Sequence, residues 1–198
     1  MIIKEEILLA NGATYEEYNN NDTVFNEGDR PQYYFQIVNG IVELNNYHED
    51  GKEFTQNILS DGQSFGESLL FNNKPYPMNA IVKAPSLILR LTKENFINLI
   101  QYNPEVSMDM FRCLADRLFY KYTMLFNLSS TNPIHKIETI MNYLKSYNSN
   151  IDPYTFQVPL TRQQLANLTG LRTETVIRTV KKMEKDKVLK LKDRKIYY

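Results

Sequence analysis

Over residues 18–92 apolar and polar positions alternate in short runs broken by turn residues, and from Thr92 onward the apolar spacing lengthens to that of helices. In "YYFQIVNGIVELNNYHEDGKEFTQNIL", Ile37, Val42 and Leu44 are flanked by polar residues in the partial alternation of half-buried strands. Asn39-Gly40 and Asp50-Gly51 read as turns, Gly28-Asp29 ends another run, and "AIVKAPSLILRLT" supplies two strand candidates around Pro85. Gly28, Gly40, Gly51 and Gly62 recur at intervals of 12, 11 and 11. Short strands at that spacing predict an all-β sandwich, jelly roll or barrel, with the glycines supplying positive φ.

Thr92 with Asn95 opens a short helix that stops before Pro104. Pro104 then stands in the first turn of a long helix, where its missing N–H costs nothing. On that helix Phe111, Ala115, Leu118, Tyr122 and Leu125 step by 4, 3, 4 and 3, and Phe119, Met124, Phe126 and Leu128 widen the apolar surface. The stripe predicts a symmetric dimer along the helix, against the alternative that it packs only on its own β domain. Cys113, mid-helix, reads as a small core or interface residue. Another helix is predicted over 133–147 with Ile137, Ile140, Met141 and Leu144 on one side, then a polar loop at 148–153 and a strand in "YTFQVPL".

The C-terminal stretch is the most informative. Thr161 with Gln164 forms the pattern of a capping box, Leu165 and Leu168 face inward, and Gly170 supplies a turn of about four residues with Leu171 at the corner. A second helix runs from about Arg172 to Asp186, with Val176, Val180 and Met183 on its buried side. Helix, glycine turn and amphipathic helix, followed by "VLKLK" and "KIYY" around Asp193-Arg194, predict a helix-turn-helix with a β-wing. The face opposite the buried side carries Arg172, Thr173, Glu174, Ile177 and Arg178, the candidate base readers. Arginine fits guanine O6 and N7, glutamate accepts from cytosine N4, and an apolar branched group meets a thymine methyl. Thr161, Arg162, Gln163, Thr175, Lys181, Lys182 and Lys192 are the candidate phosphate contacts. An i,i+4 salt bridge between Glu174 and Arg178 is the competing reading of that pair.

Charge sharpens this picture. The net charge is zero, yet residues 133–198 hold thirteen Lys+Arg against six Asp+Glu, leaving the first 132 residues with the mirror-image excess of acid. A basic third on an acidic two-thirds predicts two domains with different partners, nucleic acid for the basic one, unless the basic face is only solvated or docks a protein. Apolar content of 42% and charged content of 23% are ordinary for a globular chain, and no apolar run is long enough to span a membrane. No signal-peptide pattern stands at the N-terminus, so a cytoplasmic location is expected. One cysteine is too few for an internal disulfide, a cysteine-held zinc or a self-contained iron–sulfur cluster. His48 and His135 lie 87 positions apart, so no histidine cluster suggests a metal, and no Ser-His-Asp or carboxylate pair suggests catalysis.

Four motifs, "FQIVNGIVEL" (35–44), "EDGKEF" (49–54), "GQSFGE" (62–67) and "LTRQQLANLTGLRTETVIRTVKKMEKD" (160–186), make nearly the whole chain resemble the Crp/Fnr family of bacterial transcription regulators. The resemblance implies an α+β chain: an N-terminal double-stranded β-helix of the cyclic nucleotide-binding kind over 1–103, a dimerisation helix over 104–131 and a winged helix-turn-helix over 132–198. It further implies a homodimer on a two-fold symmetric DNA site, with RNA polymerase as the expected further partner. Many members carry an arginine directly before the recognition glutamate, whereas this chain has Thr173 there and Arg172 one place earlier.

The same resemblance defines an effector pocket at Phe65, Gly66, Glu67, Met78, Asn79 and Ala80. In members that bind cyclic nucleotides the cassette reads Phe-Gly-Glu, a short helix, then Arg-Ser/Thr-Ala. The glycine and glutamate hold the ribose, and the arginine neutralises the phosphate. Here Met78 stands at the arginine position and Asn79 at the Ser/Thr position. A buried phosphate would lack its cation, so cAMP is disfavoured unless Lys74 or Lys83 reaches in. No cofactor is expected, and the pocket is left to an uncharged or different ligand, or to none. A ligand sensor acting through protein contact is the alternative reading of the whole chain.

Overall fold

The computed structural model describes residues 1–146 and 152–198, so most of the loop expected at 148–153 lies outside the described residues. Two compact units result, Met1–Leu118 and Phe119–Tyr198. The first contains α1 (Glu5–Ala10), β1 (Thr14–Tyr18), β2 (Thr23–Phe25), β3 (Tyr33–Tyr47), β4 (Glu53–Leu59), β5 (Ser64–Phe65), α2 (Glu67–Leu70), β6 (Asn79–Thr92) and α3 (Lys93–Tyr102). The long α4 (Pro104–Ser129) begins there. The second unit holds the end of α4, then α5 (Pro133–Lys145), α6 (Arg162–Thr169), α7 (Thr173–Lys185), β7 (Lys190–Lys192) and β8 (Lys195–Tyr197).

All pairings in the N-terminal roll are antiparallel. β6 and β3 form its spine, with β1 and β2 beside β6, and β4 and β5 beside β3. Two sequence expectations need correction. Asn39-Gly40 is not a turn: β3 runs straight through it, and the register against β6 slips there. Gly40, at φ +125°, is required because a Cβ would stand 2.0 Å from Ser86 Oγ. Nor does Pro85 separate two strands. It is exposed within the continuous β6, opposite the same irregularity, where its missing N–H interrupts no ladder. Asp50-Gly51 does turn the chain, with Gly51 at φ +79° and Lys52 N–H donating to Asp50 Oδ1 at 3.0 Å.

Two apolar cores fill this unit. Inside the roll, Phe25, Phe35, Ile37, Val42, Phe65 and Tyr76 pack with Met78, Ala80 and Val82. On its flank, Leu89, Leu91, Tyr34 and Phe96 pack with Ile3 and Leu8 from the N-terminal segment and with Val106 and Met110 of α4. Gln36 fastens that segment: it accepts from Ile3 N–H at 3.0 Å and donates to Ile3 C=O at 2.8 Å. Helix starts follow the sequence signals, since Thr92 Oγ1 accepts from Asn95 N–H and Asn132 Oδ1 from Ile134 N–H.

In the C-terminal unit α5, α6 and α7 pack on one another. Ile137, Ile140 and Met141 are buried and Leu144 half-buried, facing a core of Leu165, Val176, Val180 and Met183. The expected strand in "YTFQVPL" reduces to one bridge, Gln157 to Tyr197, flanked by Val158 N–H to Ile196 C=O and Tyr198 N–H to Phe156 C=O. Pro159 has no N–H with which to extend it. The wing is a two-residue hairpin in which Asp193 and Arg194 both take positive φ, +50° and +62°, as a primed turn demands.

Candidate nucleic-acid interface and ligand pocket

The helix-turn-helix is built from reciprocal local bonds. Gln164 N–H donates to Thr161 Oγ1 at 3.1 Å, and Thr161 N–H donates to Gln164 Oε1 at 2.9 Å, closing the capping box. Gly170 at φ +68° ends α6 in the left-handed conformation, so the turn spans residues 170–172, three rather than four. A bond of 2.7 Å from Thr173 Oγ1 to Gln163 Oε1 ties the first turn of α7 to α6. Gln163 also donates to Asn167 Oδ1 at 2.8 Å. These two predicted DNA contacts therefore hold each other within the motif, and sequence spacing gave no sign of that.

With Val176, Thr179, Val180 and Met183 buried, α7 turns Arg172, Glu174, Ile177, Arg178, Lys181 and Lys182 to the exterior. Thr173 and Thr175 are half-buried and Lys192 is exposed. Glu174 and Arg178 make no ion pair with each other, and neither Arg172, Lys181, Lys182 nor Lys192 joins any ion pair among the described residues. The competing salt-bridge reading is thus not realised. Arg162 is only half-exposed, and its guanidinium donates to the Arg194 carbonyl; burial alone pulls its pKa below the usual arginine value.

In the roll, Gly66 at φ +80° starts α2, and its Cβ, were there one, would lie 3.1 Å from Tyr76 Oη. Phe65, Gly66, Glu67, Met78 and Ala80 are buried and Asn79 is half-buried. Met78 lies in the aromatic cluster that contains Tyr76, whose ring stacks on Phe25 at 3.6 Å between centroids. Asn79 serves the backbone, accepting from Glu27 N–H at 2.9 Å and donating to Asn45 C=O at 3.3 Å. Lys83 does not turn inward. Its neighbour Val82 does, and alternation carries the Lys83 ammonium to Glu43 Oε1 at 3.3 Å and Glu53 Oε1 at 3.5 Å.

Glu67 is fully buried, and one of its oxygens is paired with the Arg117 guanidinium of α4, which also donates to Ser64 C=O. Burial pulls the Arg117 pKa down, but the Glu67 charge overrides it and the net direction is upward. Glu67 Oε2 and Tyr76 Oη have no hydrogen-bond partner among the described residues. Arg117 and Tyr76 both escaped the sequence reading: Arg117 is fifty positions from Glu67, beyond any local pattern. Cys113 is a buried free thiol, its pKa pushed up by burial. Phe111, Ala115, Leu118, Tyr122 and Leu125 are all exposed on α4, as are Phe119 and Phe126, with Leu125 68% and Phe126 74% accessible. No helix among the described residues is long and apolar enough to cross a membrane.

Comparison with known proteins agrees with this arrangement. Residues 15–103 match the cyclic nucleotide-binding domain model, and residues 138–197 match the Crp-like helix-turn-helix domain model. The chain is 30% identical over 170 residues to the cAMP-activated global transcriptional regulator CRP of Pasteurella multocida, covering 85% of this chain and 81% of that one. It is 27% identical to the global nitrogen regulator of Nostoc sp. over 99% of its own length and 94% of the relative's. Among solved structures, the c-di-GMP responsive regulator CLP of Xanthomonas campestris superposes with a TM-score of 0.78 at 21% identity, over 97% of this chain and 96% of that one. A variant of CooA from Carboxydothermus hydrogenoformans gives 0.83 at 18% identity, over 98% and 87%. A roll and a winged helix-turn-helix in this order, matched along both segments, mean that the chain belongs to the Crp/Fnr family of transcription regulators.

Proposed function

We propose that the protein is a sequence-specific DNA-binding regulator that works as a cytoplasmic homodimer on a two-fold symmetric site and acts on transcription through RNA polymerase. Residues 1–103 serve as the sensor, 104–131 as the dimerisation helix and 132–198 as the DNA-binding domain. The observation that carries this reading is the exterior of α7, where Arg172, Glu174, Ile177 and Arg178 are exposed and none enters an ion pair among the described residues. Donors, an acceptor and a branched apolar group on one helical face are the groups that major-groove edges match. Half-sites are spaced by roughly one helical turn of DNA, about 34–36 Å, in such dimers. Nuclease footprinting on promoters of the source genome is expected to protect a palindrome. Arg178→Ala is expected to cost about 1–3 kcal/mol and to relax preference at one base, while Lys181→Ala weakens all sequences alike. Unprotected promoters, together with affinity insensitive to salt, would instead favour a basic docking surface for protein.

The protein does not respond to cAMP in this reading. Relatives are named for activation by cAMP and for response to c-di-GMP, so the effector differs between members of one fold. In this chain Met78 occupies the arginine position inside an aromatic cluster, and Lys83 is held by Glu43 and Glu53. A cyclic phosphate placed at Met78 would find no cation on that side chain, while Lys83 is held by Glu43 and Glu53 and Arg117 by Glu67. Isothermal calorimetry is expected to give no heat from cAMP at micromolar concentration; saturable micromolar binding would overturn this.

A further inference from the structure

The end of α4 has a second, inward face. Phe119, Tyr122, Leu125 and Phe126 are exposed on it, whereas Tyr120 and Asn127, seven positions apart and so on one side of the helix, are buried. Tyr120 packs on Tyr143 of α5, with ring centroids 4.7 Å apart. Asn127 Nδ2 donates to Lys136 C=O at 3.1 Å and spans the turn between α4 and α5. Its buried Oδ1 has no partner among the described residues. An oxygen left in that state costs stability, so the amide is placed for the bond that its other end makes. Lys136 carries the connection onward. Its ammonium donates at 3.2 Å to the carbonyl of Thr169, the last residue of α6, and joins no ion pair among the described residues. The final carbonyls of a helix lack intrahelical partners and form its negative end. α6 has no basic residue in its own last turn, and Lys136 of α5 supplies that cation. Leu128 closes the same corner, 3.9 Å from where a Cβ on Gly170 would lie, and Gly170 begins the turn into α7. One continuous path thus runs from the exposed stripe of α4 to α7, all of it within Phe119–Tyr198.

We propose that Asn127 and Lys136 are positioning residues that hold α7 in a fixed place relative to the α4 stripe, and so set the half-site separation that the dimer accepts. The proposal rests on the dimeric DNA-binding reading above and names what makes that reading selective for spacing. One base pair added between the half-sites turns one of them by roughly 35° and shifts it by about 3.4 Å. The dimer then gives up either the contacts of one half-site or this clamp, whichever costs less. A hydrogen bond from a charged donor is the strongest part of the clamp, so the spacing penalty is about ten- to a hundredfold in affinity.

The test uses the full chain and a palindromic duplex selected by the wild type from random sequence. Beside it stand copies lengthened or shortened by one base pair at the centre, and a duplex that holds a single half-site. The readout is the ratio of affinities for the selected and the respaced duplexes. Lys136→Met keeps the aliphatic stem and loses the ammonium, and it is expected to cut the wild-type penalty about fivefold. Affinity for the single half-site is expected to stay unchanged, and Lys136→Arg to restore the penalty. Asn127→Leu is expected to move the ratio in the same direction, and because it also removes the partnerless oxygen its melting temperature is expected to stay close to that of the wild type. A ratio that neither Lys136→Met nor Asn127→Leu changes would overturn the proposal. So would variants that weaken every duplex, the single half-site included, by one common factor, which is the mark of a merely structural role. A wild type indifferent to spacing would also overturn it, while leaving DNA binding intact. Failure to select any palindrome would instead remove the DNA reading on which the proposal rests.

Discussion

At the scale of single residues, the outer face of the roll carries a small charged network. Asn45 donates to Glu43 Oε1 at 3.3 Å and to Glu53 Oε1 at 2.5 Å, Tyr47 to Glu53 Oε1 at 3.4 Å, and Lys83 spans both carboxylates. Burial, then the hydrogen bond with Glu53, raises the Glu43 pKa. Burial also acts to raise that of Glu53, but the Glu43 bond and Lys83 outweigh it and leave it lowered. The raised carboxyl contributes stability below its unfolded pKa and loses it as pH rises; the lowered one contributes above its unfolded pKa and loses it as pH falls. In the wild type the two oppose each other. Lys83→Met removes the cation from both, so each carboxyl shifts upward and the folded state holds protons that neutral solution takes away. We expect Lys83→Met to cost roughly 2–3 kcal/mol near pH 7.5, below the range for a fully buried pair because Lys83 is part-exposed. The cost shrinks as pH falls toward 4.5. Urea denaturation at the two pH values checks this, and a pH-independent difference would show that Lys83 contributes packing rather than charge.

At the scale of elements, what was legible depended on how local the cause is. A capping box, proline at a helix start and the wing turn are decided within four residues, and each formed where Thr161, Pro104 and Asp193-Arg194 announced it. Gly40 and Pro85 misled because glycine and proline also mark irregularities inside long strands. Only the facing strand, with Ser86 crowding Gly40, tells a bulge from a turn. The pocket divides in the same way. Its departure at Met78 is visible in sequence, but the stacking of Tyr76 on Phe25 and the pairing of Glu67 with Arg117 join segments far apart in the chain. The exposed face of α7 was legible because one amphipathic helix fixes which side is buried.

At the scale of the whole molecule, α4 is the element left incomplete in a single chain. Phe111, Leu118, Phe119, Tyr122, Leu125 and Phe126 are each at least half exposed, and such a contiguous apolar surface is rarely left to water on a monomer. In the proposed dimer, repeats of four and three would bring the same stripe from a second copy into register, an isologous contact whose two-fold axis would match a palindromic site. Such a dimer would double the phosphates neutralised, so it would set the salt dependence of binding as well as its symmetry. Leu125→Glu tests this cleanly, because a side chain 68% accessible in one chain contributes little to that chain's own fold. Light scattering is expected to give twice 23.3 kDa for the wild type and 23.3 kDa for the variant, at similar melting temperatures once the dimer's concentration dependence is allowed for. On a duplex, the variant's salt slope is expected to fall to about half, since only one proposed DNA-binding domain would remain engaged. A variant that stays dimeric, or a wild type that is monomeric at tens of micromolar, would move the dimer contact off α4.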